Sequence, residues 1–143
     1  MDLKCLRKYY LNRISLSLPT VVLPAKMGNM YIDHYTFGQI AVDGRDFQSD
    51  LIIFPERVQE NWRRKEGHRL DRDDLQTVLA DKPDMLVIGT GCYGRMKVPQ
   101  ETLAALSQAG ISVRLAKTGD AVSEFNRLQQ EYARIVAALH LTC

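Results

Sequence analysis

The sequence is poor in cysteine, and its few cysteines form no recognisable paired motif. Cys5, Cys92 and Cys143 are the three cysteines among 143 residues, and no two of them have C-x-x-C spacing. An odd number of widely separated cysteines does not predict a disulfide framework or a structural zinc site.

Metal-ligand motifs and long apolar runs are also absent. The three histidines lack the H-E-x-x-H spacing of a metal-binding helix, so we expect no metal, and no other cofactor is indicated. No stretch approaches the roughly 18 consecutive apolar residues of a membrane-spanning helix. The sequence therefore predicts a soluble protein with no membrane span.

Neither sign of charge is in clear excess. Lysine and arginine number 19 against 17 acidic residues, which gives a formal net charge of +2. Nucleic-acid-binding domains usually carry a strong basic excess, so a nucleic-acid partner is not expected. A chain of this length with 45% hydrophobic residues is large enough for one globular domain with a core of its own.

The small positive excess is confined to the N-terminal end. Between Met1 and Lys26, five basic residues stand against one acid, Asp2. Serine and proline interrupt the apolar stretch at residues 14–23, which makes it a poor signal peptide. We interpret residues 1–29 as a basic extension (an upstream translation start, a mitochondrial transit peptide or an arm that docks on the domain) and residues 30–143 as one domain. The expected location is cytoplasmic, or mitochondrial if the extension is a transit peptide.

Residues 31–143 show the pattern of a layered α/β domain. The dipeptide Asp43-Gly44, flanked by apolar positions, predicts a β-hairpin with a type I′ turn. Buried strands are predicted at residues 51–54 and 85–88, an alternating strand at 111–115 and a strand at the C-terminal end, 135–143. Helices are predicted to begin near Asp71, Pro99 and Thr118. The resulting order is hairpin, β, α, β, α, β, α, β, with the direction of the last strand left open.

Residues 56–69, here called the basic segment, are polar and contain the run Trp-Arg-Arg-Lys at residues 62–65. A nucleic-acid interpretation requires several aromatics that stack on bases, and only Trp62 is present. Glu60 and Glu66 also dilute the charge. We interpret the basic segment as a solvated loop with Trp62 anchored in the core.

Residues 89–97, here called the glycine loop, satisfy G-x-G-x-x-G directly after a predicted strand. No helix begins at the last glycine, and Lys117 stands where a dinucleotide site needs an acidic ribose ligand, so nucleotide binding is not expected. Two alternatives remain: a tight connection with solvated charges, or an anion site built from converging N–H groups and nearby cations. The anion-binding candidates are Gly89, Thr90, Gly91, Cys92, Gly94, Arg95, Lys97 and Thr118.

Cys92 and His140 can be drawn as a nucleophile and its base, but that chemistry requires the two side chains to be within hydrogen-bond reach. A parallel last strand would place His140 near the glycine loop, and an antiparallel one would place it at the far edge. We interpret His140 as a structural histidine whose hydrogen bonds are satisfied, and we predict no catalytic residue.

Several short motifs, in order, resemble one known family over about residues 31–143. It is the small domain first described in a hypothetical methanogen protein, whose relatives include the adipogenesis-associated domain-containing protein and the mitochondrial complex I assembly factor three. The motifs are Phe37-Gly38-Gln39-Ile40, Asp43-Gly44, Asp50-Leu51-Ile52-Ile53, Trp62-Arg63, Gly89-Thr90-Gly91, Thr118 with Ala121-Val122 and Asn126, and the final residues 138–143.

The resemblance implies a three-layer α/β fold with a mixed central sheet and about three helices. It implies no established enzymatic activity and no cofactor. In the mitochondrial branch of the family the role is assembly of a membrane complex through protein contacts, whereas the short bacterial and archaeal members, which this chain resembles more closely, have no settled function.

Two functional hypotheses follow. The first is a non-catalytic protein-interaction module of the assembly-factor type, with an unknown protein partner and an unknown oligomeric state. The second is a protein that binds a small anion or phosphometabolite through the glycine loop, with or without catalysis.

Overall fold

Two β-sheets and three α-helices make up the part of the chain that the computed structural model describes, residues 30–143. The predictions for residues 1–29 lie outside the described residues. In chain order the elements are β1 (Ile32–Thr36), β2 (Gln39–Val42), β3 (Arg45–Phe47), β4 (Leu51–Ile53), β5 (Val58–Gln59), a 3₁₀ turn (Arg72–Leu75), α1 (Gln76–Asp81), β6 (Met85–Thr90), α2 (Gln100–Gln108), β7 (Ser112–Ala116), α3 (Thr118–Leu128) and β8 (Ile135–His140).

The predicted hairpin is confirmed and belongs to a three-stranded antiparallel sheet. Asp43 and Gly44 have φ values of 47° and 80°, which are the positive angles that a type I′ turn requires at both central positions. β2 and β3 pair across this turn, and β1 pairs with the other edge of β2.

The larger sheet is mixed, as the family resemblance implied. Its strand order is β5-β4-β8-β6-β7. β6 runs parallel to both β7 and β8, whereas β4 pairs antiparallel with β8 and with β5. Because β8 is parallel to β6, the carboxyl ends of these two strands lie at the same edge of the sheet.

Alternate residues of the central strands enter two separate cores, which explains their nearly continuous apolar sequences. Met85 and Val87 of β6 pack with α3 and the small sheet, whereas Leu86 and Ile88 pack with α2 and the basic segment. β8 and β4 alternate in the same way. The larger sheet is therefore the middle layer of three.

The helices begin close to their predicted positions, with local differences. The first predicted helix consists of a 3₁₀ turn followed by the short α1, which ends at Asp81. Lys82 caps this end with a left-handed φ of 51° and is followed by Pro83. Pro99 lies at the N-cap of α2 and not at its first helical position. The last helix, α3, ends at Leu128, and Tyr132 after it is only partly buried.

The interpretation of the basic segment is only partly correct. The Trp62 side chain is 5% exposed, and its ring N–H donates to the carbonyl of Asp74 at 2.9 Å. The segment nevertheless contains β5, and the side chain of Arg64 is only 4% exposed. A solvated loop was therefore the wrong prediction for Arg64, which is held inside the domain.

Candidate functional site at the carboxyl edge of the sheet

Three strand ends meet at one edge of the larger sheet. Thr90 and His140, the last residues of β6 and β8, are direct neighbours in the parallel register. β4 is antiparallel to β8, with Leu51 opposite Leu139, so Asp50 precedes β4 at the same edge. Parallel α/β sheets generally bind ligands at the carboxyl ends of their strands, and the glycine loop leaves β6 at this point.

Most backbone N–H groups of the glycine loop are already hydrogen bonded within the protein. The amides of Cys92 and Arg95 donate to the carbonyls of Thr142 (2.6 Å) and Cys143 (3.0 Å). The Lys97 amide donates to the backbone carbonyl of His68 (2.7 Å). Those of Gly94 and Met96 donate to carbonyls of the loop and of β6. The anion site on this loop stays a prediction, and its support comes from the side chains of Arg95 and Lys97 because these amides are occupied.

The glycines of the loop permit close backbone approach. A Cβ on Gly91, which has a φ of +104°, would lie 2.3 Å from the carbonyl carbon of Cys143 and 2.9 Å from Cδ2 of His140. A Cβ on Gly89 would lie 2.8 Å from the hydroxyl of Thr118. Neither position accommodates a side chain without displacing its neighbours, so the repeated glycines reflect packing against the C-terminal segment.

The Thr118 hydroxyl connects the loop, α3 and β8. It accepts a hydrogen bond from the Gly91 amide at 2.8 Å and donates one to the carbonyl of His140 at 2.6 Å. The Thr118 amide donates in turn to the carbonyl of Gly91 at 3.0 Å. Among the candidate anion ligands, Thr118 is fully buried and has a structural role in this arrangement.

Asp50, Arg64 and His140 form a polar cluster at the same edge. One oxygen of Asp50, Oδ2, lies 2.7 Å from Nδ1 of His140 and accepts a hydrogen bond from Nη2 of Arg64 at 2.8 Å. The other oxygen accepts the Leu141 amide at 2.8 Å. Arg64 also donates to the carbonyl of Gly67 and packs over the ring of Trp62. Asp50 therefore links the sheet edge to the basic segment.

These contacts determine the charge of Asp50 and the tautomer of His140. Burial alone would raise the pKa of Asp50, but the hydrogen bonds from His140, the Leu141 amide and Arg64 outweigh burial and hold the pKa below its ordinary value. An ionised carboxylate only accepts hydrogen bonds, so Nδ1 of His140 carries the proton that it shares with Asp50. In neutral His140, Nε2 then carries a lone pair and can only accept a hydrogen bond. In the imidazolium, Nε2 carries a proton and donates one.

Two nitrogens of the cluster are buried without a hydrogen-bond partner: Nη1 of Arg64 and Nε2 of His140. The side chain of His140 is 7% exposed, and the exposed ring of His68 lies edge-on to it at a centroid distance of 5.8 Å. The prediction of a satisfied structural histidine therefore holds for Nδ1 and is wrong for Nε2.

Sequence reasoning did not identify this cluster, because its members lie 14 to 90 positions apart in the chain. The one local signal is Asp50 directly before a buried strand. Within residues 30–143, no group of three or more potential metal ligands comes together.

The glycine loop and the residue after β7 supply exposed cations at this edge. Arg95, Lys97 and Lys117 are exposed, and the Lys117 side chain lies beside Gly94. Residues 89–99 contain no aspartate or glutamate. The carboxyl edge of the sheet thus combines a buried guanidinium and imidazole with exposed cations.

The fold and this edge define a small α/β domain with a mixed sheet, and comparison with known proteins places it in a family. The family model described as "Protein of unknown function (DUF498/DUF598)" matches residues 32–140. The chain therefore belongs to this family, for which that description names no activity.

Solved structures show the same fold. A protein from Bartonella henselae described as an outer membrane protein has 26% sequence identity and a TM-score of 0.68, over 82% of this chain and 98% of that one. A conserved hypothetical protein from Pyrococcus horikoshii has 26% identity and a TM-score of 0.64, over 78% and 98% of the two chains. A Bordetella pertussis protein described as an Mth938-like domain (23% identity, TM-score 0.69, over 87% and 92%) shows likeness of fold alone.

Of the helices within residues 30–143, none has the length and apolar character needed to cross a bilayer.

Proposed function

We propose that this domain binds a small anion, such as a phosphometabolite or a carboxylate, at the carboxyl edge of its larger sheet. The observation that carries the proposal is the buried pair of unpartnered nitrogens, Nη1 of Arg64 and Nε2 of His140, at this edge. A buried polar group without a partner costs free energy, and a bound anion would supply acceptors for Nη1 of Arg64 and, when His140 is protonated, for Nε2.

The charge around the edge supports the same proposal. Arg95 and Lys97 of the glycine loop and Lys117 after β7 add exposed positive charge where a ligand would approach. Clefts lined by one sign of charge raise the local concentration of ions of the opposite sign. In this proposal the domain carries out no reaction, and binding itself is the function.

Thermal-shift measurements with phosphates, nucleotides and carboxylates test the proposal. We expect at least one of these anions to raise the melting temperature in a concentration-dependent manner, because a ligand that binds only the folded state stabilises it. Chloride at equal ionic strength is the control for screening. If no anion stabilises the protein beyond chloride, the proposal is wrong.

A second candidate function, favoured by a different observation, is protein interaction of the assembly-factor type suggested by the resemblance to complex I assembly factor three. β7 is an edge strand of the larger sheet, and its residue Leu115 is 48% exposed. An exposed edge strand offers unpaired backbone groups to a strand of another protein. A partner would then add a strand next to β7.

Substitution on β7 tests this second function. Leu115→Arg should abolish capture of a stoichiometric partner from native lysate, whereas Ser112→Arg, at the other end of the strand, should weaken it less. Circular dichroism of both variants controls for folding. A wild-type protein that elutes alone as a monomer and captures no partner would count against protein interaction.

The location proposed for the protein is the cytoplasm, with mitochondria as the alternative if residues 1–29 are a transit peptide. Support comes from the basic, acid-poor composition of that segment. A fluorescent reporter fused behind residues 1–29 should enter mitochondria in the second case and remain cytoplasmic in the first.

A further inference from the structure

The Asp50, Arg64 and His140 cluster has an unusual balance of donors and acceptors. Asp50 already accepts three hydrogen bonds, from His140, Arg64 and the Leu141 amide. Arg64 uses Nε and Nη2 on Gly67 and Asp50, which leaves Nη1 buried and unpaired. One donor of the cluster, Nη1 of Arg64, therefore lacks an acceptor among the described residues.

The charge balance depends on the protonation of His140. With neutral His140, the positive charge of Arg64 and the negative charge of Asp50 compensate each other. Protonation at Nε2 adds a second positive charge at a site where the His140 side chain is only 7% exposed. A buried, uncompensated charge is unfavourable, so an anion that arrives with the proton would restore neutrality.

We propose that the cluster is the anchor of the anion site, where one small oxyanion accepts hydrogen bonds from Nη1 of Arg64 and from the protonated Nε2 of His140, so that anion and proton bind together. The proposal rests on the proposed anion-binding function and specifies its residues, its ligand class and its pH dependence. Carboxylates and phosphates share the required chemistry, because each carries several acceptor oxygens on one centre and can satisfy two donors at once.

The surroundings of His140 contain the charged groups that influence its protonation. The charged and titratable side chains recorded against its ring are Asp50, Arg64 and His68. His68 is exposed and lies edge-on to the ring. Nε2 of His140 has no hydrogen-bond partner, so removal of the exposed His68 ring by His68→Ala should leave binding intact.

The proposal is tested by nuclear magnetic resonance titration of the full chain, first with sodium phosphate and separately with sodium acetate. Sodium chloride at equal ionic strength is the control. Titrations at about pH 5.5 and about pH 7.5 fall on either side of the usual pKa of histidine. We expect saturable shifts of the His140 ring and Arg64 side-chain signals, with tighter binding at the lower pH. Acetate keeps its charge over this range, so it separates protonation of the protein from protonation of phosphate, and it distinguishes carboxylate from phosphate ligands.

Variants identify the anchor. Arg64→Gln should weaken binding by roughly tenfold to a hundredfold, the range expected for losing a charged hydrogen bond, whereas Arg63→Gln on the neighbouring exposed residue should not change it. The wild-type titration remains informative if Arg64→Gln fails to fold, because it reports on His140 directly.

The outcomes separate this proposal from the broader one. If Arg95→Gln abolishes binding and His140 does not respond to the anion, the anchor is wrong but anion binding at this edge stands. If phosphate and acetate do not shift the His140 and Arg64 signals, and the Nε2 proton of His140 exchanges only with solvent water, the buried nitrogens bind water and the anchor is wrong. If no anion binds or stabilises the protein at all, both proposals fail.

Discussion

The glycine loop and the basic segment converge on one edge of the sheet, yet their polar groups are used in opposite ways. The loop has the sequence expected of a ligand-binding turn, but most of its amides donate to carbonyls of the loop, β6, the basic segment and the C-terminal residues, or to the Thr118 hydroxyl. The basic segment has the sequence expected of a solvated loop, but it places Arg64 inside with one nitrogen unpaired. Glycine-rich sequence indicates close packing here, and a buried nitrogen without a hydrogen-bond partner comes from the less conspicuous segment.

The largest expected effect tests the packing role of the glycine loop. Gly91→Ala would place a Cβ 2.3 Å from backbone of Cys143 at a φ of +104°, so we expect a loss of about 3 to 5 kcal/mol of unfolding free energy. Gly44→Ala is the matched control, because Gly44 has a φ of +80° with open space around it and should lose about 1 kcal/mol. Urea unfolding of both variants measures the difference. Equal losses would show that backbone strain, and not crowding, explains the glycine at position 91.

The next effect tests whether Arg64 belongs to the interior. Arg64→Ala leaves Asp50 with one fewer cationic donor and removes the packing over Trp62, so we expect a loss of about 2 to 4 kcal/mol. Arg63→Ala removes an exposed side chain and should change stability by about 0.5 kcal/mol or less. Similar values for the two variants would contradict the burial of Arg64.

A third comparison tests the hydroxyl that joins the loop to β8. Thr118→Val removes an acceptor from the Gly91 amide and a donor to the His140 carbonyl, and should cost about 2 to 3 kcal/mol. Thr102→Val removes one buried hydrogen bond, to the carbonyl of Leu70, and should cost about 1 kcal/mol. Thermal unfolding of the two variants checks the order, and a larger cost at position 102 would contradict the structural role of Thr118.

The smallest effect concerns pH. The folded pKa of Asp50 is lower than its unfolded value, so Asp50 contributes stability that is complete above the unfolded pKa and is lost as the pH falls. The loss should begin near pH 4, about the usual pKa of aspartate. Urea unfolding from about pH 6 to about pH 3 should show a shallower pH dependence for Asp50→Asn than for Asp46→Asn, an exposed aspartate on β3. The same pH dependence of the unfolding free energy in both variants would show that Asp50 does not contribute to it.

Much of the fold was predictable from sequence because its signals are local. The Asp43-Gly44 turn, the apolar run beginning at Leu51 and the helix beginning at Thr118 each depend on neighbouring residues, and each is confirmed. The pairing of Asp50 with His140 depends on β4 lying antiparallel beside β8, which is a tertiary feature. No local pattern distinguishes Arg64 from Arg63, so the buried cluster was not predictable.

The most direct test of the central claim is the titration of the His140 ring in the wild-type protein, measured by nuclear magnetic resonance with and without phosphate. If an oxyanion binds together with the proton on Nε2, phosphate must raise the pH at which His140 is half protonated, and Arg64→Gln must reduce that rise. A half-protonation pH that is the same in phosphate and in chloride would contradict the account.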